Sequence, residues 1–403
     1  MNVITDEQKI DRLLTRGVAA VYPTAEKLRE LLMSGKRLRL YNGIDPTAPF
    51  MHIGHAMQLR KLREFQDLGH EVIMLIGSFT AMIGDPTDKL ATRKQLTKAE
   101  VLANAATYKK QASKILKFSG SNSAKLMFND KWLAKMSFAD VVDLSSHFTV
   151  QQMMERDMFQ KRSAEQKPIY LHEFFYPLMQ GYDSVAMDVD LEVGGNDQTF
   201  NMLAGRTLMR EMKQKEKYVL TISLLTNSDG KKMSKSEGGI IALNDAPEDM
   251  FGKIMAMDDS MIVPYFELTT DLEDDEITAV ESAIAGGMNP RDAKMRLAET
   301  VVAMYHSAKA AKEAKKHFTQ VFSNKEMPDV IPELSMGGRN MTIVDALVEA
   351  GFASSNGDAK RLIQEGAVKI DATVISDPMT QVAPQVGGSI LQKGKRFFVK
   401  LLP

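Results

Sequence analysis

Residues 41–59, Y-N-G-I-D-P-T-A-P-F-M-H-I-G-H-A-M-Q-L, decide how the rest of this chain is interpreted. The preceding segment, 37–41, alternates polar and apolar residues, which predicts a half-buried strand. Asparagine, glycine and proline then predict a turn. After His55 the apolar residues recur at helical spacing and predict a helix that ends at Gly69. A loop that leads into a helix N-terminus presents free N–H groups and the positive end of a dipole, so this stretch suits a phosphate.

His52 and His55 stand one helical turn apart within this stretch. Gly54 between them allows a flat group such as adenine to lie against the backbone. The two histidines could instead be a metal pair, but the chain has no cysteine and no obvious third ligand nearby. They could also be two surface histidines, which is the ordinary explanation for an isolated H-x-x-H. A second motif far downstream argues against that explanation.

The second motif is K-M-S-K-S at residues 232–236, with glycines on both sides that predict a loop. Its two lysines, Lys232 and Lys235, are three residues apart and can converge on a polyphosphate. A basic run alone is usually a solvated surface. Together and in this order, H-I-G-H and K-M-S-K-S resemble the signature pair of the class I aminoacyl-tRNA synthetases.

Length and composition describe an ordinary globular protein. The 403 residues are 44% hydrophobic and 26% charged, which predicts two or three domains with ample core. The net charge of −1 provides no global attraction for nucleic acid, so any RNA contact must come from local patches. The absence of cysteine excludes disulfides and thiolate metal sites. A polar N-terminus and the lack of a long apolar run predict no membrane segment and a cytoplasmic location.

Strand and helix patterns alternate from residue 36 to about 225. This alternation predicts an α/β fold with a doubly wound parallel sheet, which binds ligands at the carboxyl ends of its strands. The predicted strands are 37–41, 70–77, 125–128, 186–193 and 218–225. The predicted helices of this region include 97–118, which opens with a capping box, 174–183 and 196–212. Residues 246–322 are predicted to be helical, with one helix over 291–318.

Three domains are predicted along the chain. Residues 1–225 form a catalytic domain, and 226–327 contain the lysine loop and an α-helical domain. A polar, proline-containing linker precedes the third domain, 328–403. There, Thr342 is predicted to cap a helix through Ala350.

Four further motifs narrow the resemblance to the tyrosyl-tRNA synthetases. They are Y-x-G-x-D-P-T-A at 41–48, G-D-P-T at 84–87, Y-x-x-x-Q-x-x-D at 176–183 and G-G-x-D-Q at 194–198. The match covers nearly the whole chain. The last segment, with A-K-R-L-I at 359–363, resembles the S4-type RNA-binding domain of bacterial members of this family. The resemblance implies a Rossmann-like catalytic domain, an α-helical domain on the anticodon side and a small α+β S4-type domain.

The resemblance implies a set of residues that bind the amino acid. This set is Tyr41, Asp85, Tyr176, Gln180, Asp183 and Gln198. A buried phenol hydroxyl needs one donor and one acceptor, and the family assigns these roles to Tyr41 and Asp183. Such a pocket rejects phenylalanine, which would leave both groups unpaired. Asp85, Tyr176 and Gln180 match the positions that bind the ammonium group, and Gln198 matches the residue near the carboxyl group.

The resemblance also implies residues for ATP, catalysis and tRNA. The ATP set is Gly43, Asp45, Gly54, Gly195, Asp197, Lys232 and Lys235, with Asp197 on the ribose and Gly195 allowing close approach. The catalytic set is Thr47, His52, His55, Lys89, Arg93, Lys232 and Lys235. Thr47 and His52 would contact the γ-phosphate as the bond to pyrophosphate breaks, and the cations would hold the departing phosphates. Lys360 and Arg361 would bind tRNA.

The implied reaction has two steps. The carboxylate of L-tyrosine attacks the α-phosphate of ATP to give tyrosyl-adenylate, and tRNA(Tyr) then takes the tyrosyl group. A carboxylate is already a nucleophile, so the first step needs alignment and charge stabilisation rather than a general base. The implied requirements are ATP with Mg²⁺, no protein-bound zinc or other resident metal, and a second copy of the chain in a homodimer.

Two alternatives stay open from the sequence alone. One is another class I activating enzyme, chiefly the tryptophanyl type or a small nucleotidyltransferase, against which Tyr41, Asp183 and the terminal RNA module argue. The other is a non-catalytic RNA-binding protein that retains the fold, against which the intact histidines and lysines argue. Asn42, Phe200 and the full K-M-S-K-S depart from better-known tyrosyl enzymes and indicate a different bacterial branch.

Overall fold

The computed structural model describes residues 2–87, 96–225, 240–323, 331–383, 385, 387–394 and 397–403. The chain divides into two compact units, Met1–Ala308 and Lys309–Pro403. The domain boundaries predicted from the sequence, at 225/226 and 327/328, border or fall in segments outside the described residues. The three-domain division therefore stays a prediction.

A six-stranded sheet forms the centre of the first unit. Its strands are β1 Val18–Tyr22, β2 Arg39–Ile44, β3 Glu71–Ile76, β4 Lys125–Phe128, β5 Leu191–Gly195 and β6 Tyr218–Ile222. They lie in the order β1-β6-β5-β2-β3-β4. All neighbours in this order pair in parallel except β1, which runs antiparallel to β6 at one edge. The sheet is therefore mixed rather than purely parallel.

The chain reverses its direction of travel across the sheet between β2 and β5. These two strands are neighbours, with Tyr41 opposite Glu192. The chain nevertheless continues from β2 to β3 on one side and from β5 to β6 on the other. At such a reversal the loops at the carboxyl ends of the strands diverge and leave a crevice for a ligand. The topology thus predicts a binding site above β2 and β5.

Sixteen α-helices of the described residues accompany this sheet. They are α1 Glu7–Thr15, α2 Ala25–Met33, α3 Ile53–Asp67, α4 Thr80–Ile83, α5 Lys98–Ala105, α6 Tyr108–Ala112, α7 Asp130–Leu133, α8 Phe138–Ser146, α9 Val150–Met154, α10 Asp157–Ala164, α11 Leu171–Met187, α12 Thr199–Lys213, α13 Pro247–Met255, α14 Ile262–Thr269, α15 Asp274–Ala285 and α16 Pro290–Tyr305. Short 3₁₀ turns occupy Asn196–Gln198 and Asp259–Met261. None of the helices in the described part of the chain has both the length and the apolar character needed to span a bilayer.

Two of these helices pack closely through glycines. A Cβ on Gly181 of α11 would lie 2.9 Å from Leu208 Cδ1 and 3.1 Å from the backbone nitrogen of Gly205 on α12. A Cβ on Gly205 would lie 2.8 Å from Ser184 Oγ. All three distances are shorter than a normal carbon contact, so the two backbones approach as they do because both residues lack a side chain.

Several predicted boundaries change in the structure. The strand predicted over 186–193 is wrong in position, because α11 continues to Met187 and β5 begins at Leu191. The helix predicted over 97–118 is interrupted between α5 and α6. The single helix predicted over 291–318 is two, since His306 leaves helical geometry with φ −127° and ψ −87°. By contrast, α3 ends where predicted, and Gly69 has φ +94°.

The second unit has its own core. Its helices are α17 Ala308–Ser323, α18 Ile343–Glu349 and α19 Asn356–Gln364, and its strands are β7 Glu333–Ser335, β8 Met341–Thr342, β9 Val368–Ile370, β10 Thr373–Val374, β11 Gln381–Val382, β12 Ser389–Lys393 and β13 Phe397–Leu402. The strands form a five-stranded sheet, β10-β9-β12-β13-β7, and a pair, β11-β8. Thr342 caps α18 as predicted by accepting a hydrogen bond from the Asp345 backbone nitrogen.

Candidate active site

A cavity of about 980 Å³ opens at the carboxyl ends of β2, β3 and β5. The predicted residues that line it are Tyr41, Gly43, Asp45, Thr47, His52, Gly54, His55, Asp85, Tyr176, Gln180, Asp183, Asp197 and Gln198. These residues come from five separate motifs, including H-I-G-H, and from both sides of the β2–β5 reversal. The structure therefore brings the amino acid and nucleotide sets together in one place.

The remaining predicted residues lie elsewhere or are not described. Gly195 ends β5, and a Cβ there would lie 2.5 Å from Asp197 Oδ1, so glycine makes room for a neighbouring side chain. Lys360 and Arg361 lie on α19 of the second unit. The four predicted cations of the catalytic set lie outside the described residues; they are Lys89, Arg93, Lys232 and Lys235.

The described residues on either side of the two segments that contain those cations line the cavity. Thr87 and Leu96, which flank residues 88–95, line it, and so do Leu225 and Ile240, which flank residues 226–239. The chain after the second segment pairs with the H-I-G-H stretch. The backbone nitrogen of Ile53 donates to the oxygen of Ile241 over 2.9 Å.

Asp183 lies at the closed end of the cavity and is 2% exposed. Its Oδ1 accepts a 2.7 Å hydrogen bond from Trp132 Nε1, and its Oδ2 accepts one of 3.2 Å from Asn129 Nδ2. Burial raises the pKa of Asp183 well above its usual range, although these two donors oppose the shift. Neither donor was predicted, because nothing in the motifs points to residues 129–132.

Tyr41 is completely buried in β2 next to Asp183. Its hydroxyl shares a 2.9 Å hydrogen bond with Ser184 Oγ. Burial raises the pKa of Tyr41 well above its usual range, and the carboxylates of Glu192 and Asp183 add to the shift. The phenol is therefore protonated at neutral pH and can donate or accept a hydrogen bond.

Asp85 and Gln198 contact each other across the cavity. Gln198 Nε2 donates to Asp85 Oδ2 over 2.8 Å. Asp85 Oδ1 accepts from the backbone nitrogen and the hydroxyl of Thr87, at 2.9 and 2.6 Å. Asn201 Nδ2 donates to Gln198 Oε1 over 2.9 Å. The two residues that the resemblance assigns to the amino and carboxyl groups of the substrate are thus hydrogen-bonded directly to each other.

Asp45, which is predicted to bind ATP, contacts Tyr176, which is predicted to bind the amino acid. It accepts hydrogen bonds from Thr80 Oγ1 at 2.7 Å and from the Tyr176 hydroxyl at 2.9 Å. Gly77 makes room for it, because a Cβ there would lie 1.8 Å from Asp45 Oδ1. Burial and then the carboxylates of Asp45 and Asp85 raise the pKa of Tyr176 well above its usual range. Tyr176 therefore remains a hydrogen-bond donor at neutral pH.

The two histidines stack at the start of α3, with ring centroids 3.9 Å apart. The backbone nitrogen of His52 donates to His55 Nδ1 over 3.1 Å. Burial and then the nearby His52 lower the pKa of His55 well below its usual range, so its imidazole is neutral at pH 7. A Cβ on Gly54 would come within 3.1 Å of the His52 ring, so the glycine keeps that ring in place.

The sequence motifs missed two pairs of polar residues at the cavity. Glu192 of β5 pairs with Lys217, and its other oxygen accepts from Gln180. The residue pair Asn42 and Gln58 forms a 2.6 Å hydrogen bond, while Asn42 Oδ1 is buried without a hydrogen-bond partner. For Glu192 a signal existed: it is an acidic residue inside an otherwise apolar strand. Within the described residues, no group of three or more histidine, aspartate or glutamate side chains could hold a metal ion.

Two family models match the chain. The model described as tRNA synthetases class I (W and Y) matches residues 33–323, and the model of the tyrosine–tRNA ligase SYY-like C-terminal domain matches residues 318–400. The tyrosine–tRNA ligase of Moorella thermoacetica is 48% identical over 395 residues, which cover 97% of this chain and 95% of the relative. The tyrosine–tRNA ligase of Thermotoga maritima is 46% identical over 400 residues, 99% of this chain and 98% of the relative.

Solved structures also resemble the chain. A C-terminally truncated mitochondrial tyrosyl-tRNA synthetase from Coccidioides posadasii superposes with a TM-score of 0.64 at 26% identity, over 77% of this chain and 92% of that one. The corresponding enzyme from Aspergillus nidulans gives a TM-score of 0.69 at 24% identity, over 79% and 95%. At 24% identity, the similarity to the Aspergillus nidulans structure shows a shared fold and nothing more.

Proposed function

The chain belongs to the tyrosine–tRNA ligases, within the class I tRNA synthetases, and we propose that its 980 Å³ cavity holds tyrosine beside ATP. The enzyme activates L-tyrosine with ATP to tyrosyl-adenylate and then transfers the tyrosyl group to tRNA(Tyr). One observation supports this use of the cavity. Residues of five separate motifs line the same space, although they are spread over residues 41–198.

The phenol ring of the substrate lies at the closed end, between Tyr41 and Asp183. Asp183 accepts from the substrate hydroxyl, while Trp132 and Asn129 hold the carboxylate in place. Tyr41 supplies the second hydrogen bond once its hydroxyl turns from Ser184. Phenylalanine would bury these groups without a partner, and that loss is the basis of discrimination.

The charged end of tyrosine lies between Asp85 and Gln198. The ammonium group binds Asp85, Tyr176 and Gln180, and the carboxylate approaches the amide of Gln198. The substrate displaces the hydrogen bond that joins Asp85 to Gln198. This exchange replaces one hydrogen bond by two in which the substrate carries a charge, and such charge-assisted hydrogen bonds are stronger.

The first step is an in-line displacement that the protein aligns. Gly43, Gly54 and Asp45 lie along the nucleotide, Gly195 is close to it, and Asp197 binds the ribose. Thr47 and His52 contact the γ-phosphate as the bond to pyrophosphate breaks, and neutral His55 holds the turn through the His52 backbone nitrogen. Such contacts lower the barrier when they strengthen in the transition state.

The lysine segments complete the phosphate site. A chain of n residues extends at most about 3.5 Å × n, and Lys232 is seven positions from cavity-lining Leu225. Lys235, Lys89 and Arg93 are as close or closer in sequence to cavity-lining residues, so the length of the chain leaves all four cations within range of phosphates in the cavity. Mg²⁺ arrives as part of the ATP substrate, because such ions bind phosphates with few protein ligands.

The finer fold assignments and the tRNA contacts are also proposals. The five parallel strands and the reversal at β2 and β5 support a Rossmann-like, doubly wound catalytic domain, and the second unit is S4-type.

On α19 of the second unit, Lys360 and Arg361 bind tRNA. Truncation after Ser323 should leave adenylate formation near its full rate and greatly weaken tRNA binding. Intact charging by the shortened protein would contradict this role.

A homodimer is the proposed assembly, and a cytoplasmic location stays a prediction. Phe138 and Val142 of α8 are 84% and 54% exposed, and Val150 and Leu171 are 70% and 72% exposed. Leu144 of α8 packs instead into an internal cluster, so α8 has an apolar outer face. Sedimentation should give a dimer, and Phe138→Asp should give a monomer. A monomer from the parent chain would contradict the proposal.

Amino-acid-dependent pyrophosphate exchange with all twenty amino acids tests the activity directly. Exchange should depend on tyrosine, with tryptophan and phenylalanine far less effective. A tryptophan-dependent exchange would favour the tryptophanyl alternative, and no exchange at all would favour a non-catalytic RNA-binding protein.

A further inference from the structure

A buried ion pair stands behind the proposed ammonium site. Lys217 and Glu192 are 0% and 2% exposed, and the lysine Nζ contacts Glu192 Oε2. Lys217 Nζ also donates to the backbone oxygen of Met202 over 3.0 Å. Two apolar residues of similar volume would often be equally stable in such a place. The stability of the fold alone therefore does not explain why charges occur here.

Glu192 lines the cavity, and the ion pair also contacts a third residue there. Glu192 Oε1 accepts a 3.0 Å hydrogen bond from Gln180 Nε2. Gln180, Glu192 and Met202 all line the cavity, whereas Lys217 is fully buried and contacts the second oxygen of the carboxylate. Both carboxylate oxygens are thus occupied, one by a buried cation and one by the amide.

A carboxylate accepts hydrogen bonds and cannot donate them. Gln180 must therefore turn its NH₂ group towards Glu192, which leaves its oxygen for the cavity. An ammonium group only donates, so this orientation of the amide is the one that fits it. The opposite orientation would place NH₂ against the ammonium group.

We propose that Glu192, fixed by Lys217, is a positioning residue that orients the Gln180 amide with its oxygen towards the ammonium group of the substrate. This inference rests on the proposed role of Gln180 in binding that group. Lys217 adds a second effect. It compensates the charge of Glu192, so the carboxylate orients Gln180 without drawing the ammonium group away from Asp85.

Glu192→Gln is the decisive variant because it keeps the shape and reverses the hydrogen bonding. Lys217 would retain the oxygen of the new amide, and the NH₂ group would then face Gln180. Gln180 would flip and present its own NH₂ group to the cavity. We expect the KM for tyrosine to rise about tenfold or more, with kcat and the KM for ATP within about twofold of the parent.

A second substitution that restores the hydrogen-bonding pattern distinguishes an orienting role of Glu192 from a purely structural one. In Glu192→Gln/Gln180→Glu, the new carboxylate accepts from residue 192 and still presents an oxygen to the ammonium group. The KM for tyrosine should return to within about threefold of the parent. An unchanged KM in Glu192→Gln, or no recovery in the double variant, would overturn the inference.

Gln180→Leu distinguishes this inference from the function it rests on. If Gln180→Leu leaves the KM for tyrosine unchanged, the proposed role of Gln180 is wrong and the inference falls with it. If Gln180→Leu raises the KM but Glu192→Gln does not, only the orientation inference is wrong. Should Glu192→Gln fail to fold, Glu192→Leu/Lys217→Met replaces it, because an apolar pair of similar size is tolerated in many cores. The same rise in KM is expected, and an unchanged KM again overturns the inference.

Discussion

Trp132 donates its indole N–H to Asp183 Oδ1 over 2.7 Å. This hydrogen bond fixes the carboxylate that is proposed to accept the substrate hydroxyl. Trp132 is also the single tryptophan of the chain. Its fluorescence therefore reports on the closed end of the cavity.

We expect tyrosine to change the fluorescence of Trp132 in a saturable way, whereas ATP alone leaves it nearly unchanged. Trp132→Phe removes one of the two donors that orient the Asp183 carboxyl group and should raise the KM for tyrosine about tenfold. Pyrophosphate exchange measures this effect. An unchanged KM would mean that Asn129 alone orients Asp183.

Tyr41→Phe should reduce the preference for tyrosine over phenylalanine about tenfold, because phenylalanine then leaves fewer polar groups unpaired. Ser184→Ala is the matched control. This substitution also removes the hydrogen bond between Tyr41 and Ser184, but it leaves the Tyr41 phenol intact. The preference should survive in the control, and its loss there would assign discrimination to Ser184.

Asp183→Ala should abolish most tyrosine activation, since it leaves the substrate hydroxyl, Trp132 and Asn129 without an acceptor in a buried space. Single-turnover adenylate formation measures the loss. Thermal unfolding is measured in parallel to show that the variant is folded. A folded variant with normal activation would place the phenol elsewhere.

Thr47→Ala and His52→Ala should slow adenylate formation far more than they weaken binding of ATP or tyrosine, because their contacts strengthen as pyrophosphate leaves. Thr278→Ala, on an exposed part of α15, is the control for loss of a threonine hydroxyl. Pre-steady-state rates at saturating substrates give the comparison. Equal losses in ground-state binding would contradict the assignment.

His70 should make stability depend on pH. Burial, with the Arg37 charge adding to it, lowers the pKa of His70 to about 4, compared with about 6.5 in an unfolded chain. The unfolded state therefore binds more protons between these values, and the stabilising effect present above pH 6.5 is lost as the pH falls towards 4. At pH 5.5 the loss is about 1 kcal/mol.

His70→Asn tests this effect, because its side-chain oxygen can still accept from the Leu38 backbone nitrogen. Urea unfolding at pH 7.5 and 5.5 should show a smaller difference in the variant than in the parent chain. An identical difference in the two proteins would assign the pH dependence to other groups.

The motifs predicted many of the residues that line the cavity, because the spacing of residues along a helix or strand determines which of them share a face. Tyr176, Gln180 and Asp183 are four and three residues apart, so a helix places them on one face, and the predicted helix 174–183 lies within α11. Glu192, Lys217 and Trp132 escaped prediction because each acts through a partner distant in sequence. Spacing contains no information about such pairs.

The errors in element boundaries have a local cause. In S-V-A-M-D-V-D-L, residues 184–191, valine and methionine alternate with small or polar residues, a pattern that fits a strand as well as the last turn of a helix. The structure ends α11 at Met187, and Asp188 adopts a left-handed conformation with φ +50°. The edge strand β1 was not predicted, although V-A-A-V-Y is a plausible strand sequence.

The close approach of α11 and α12 at Gly181 and Gly205 limits how substrate choice can drift during evolution. An alanine at Gly181 would push against Leu208 and the backbone of α12. Since Tyr176, Gln180 and Asp183 all project from α11, spread over about 10 Å of its length, such a change would displace the three together. A single replacement at this contact is therefore expected to misalign the whole recognition surface rather than one contact of it.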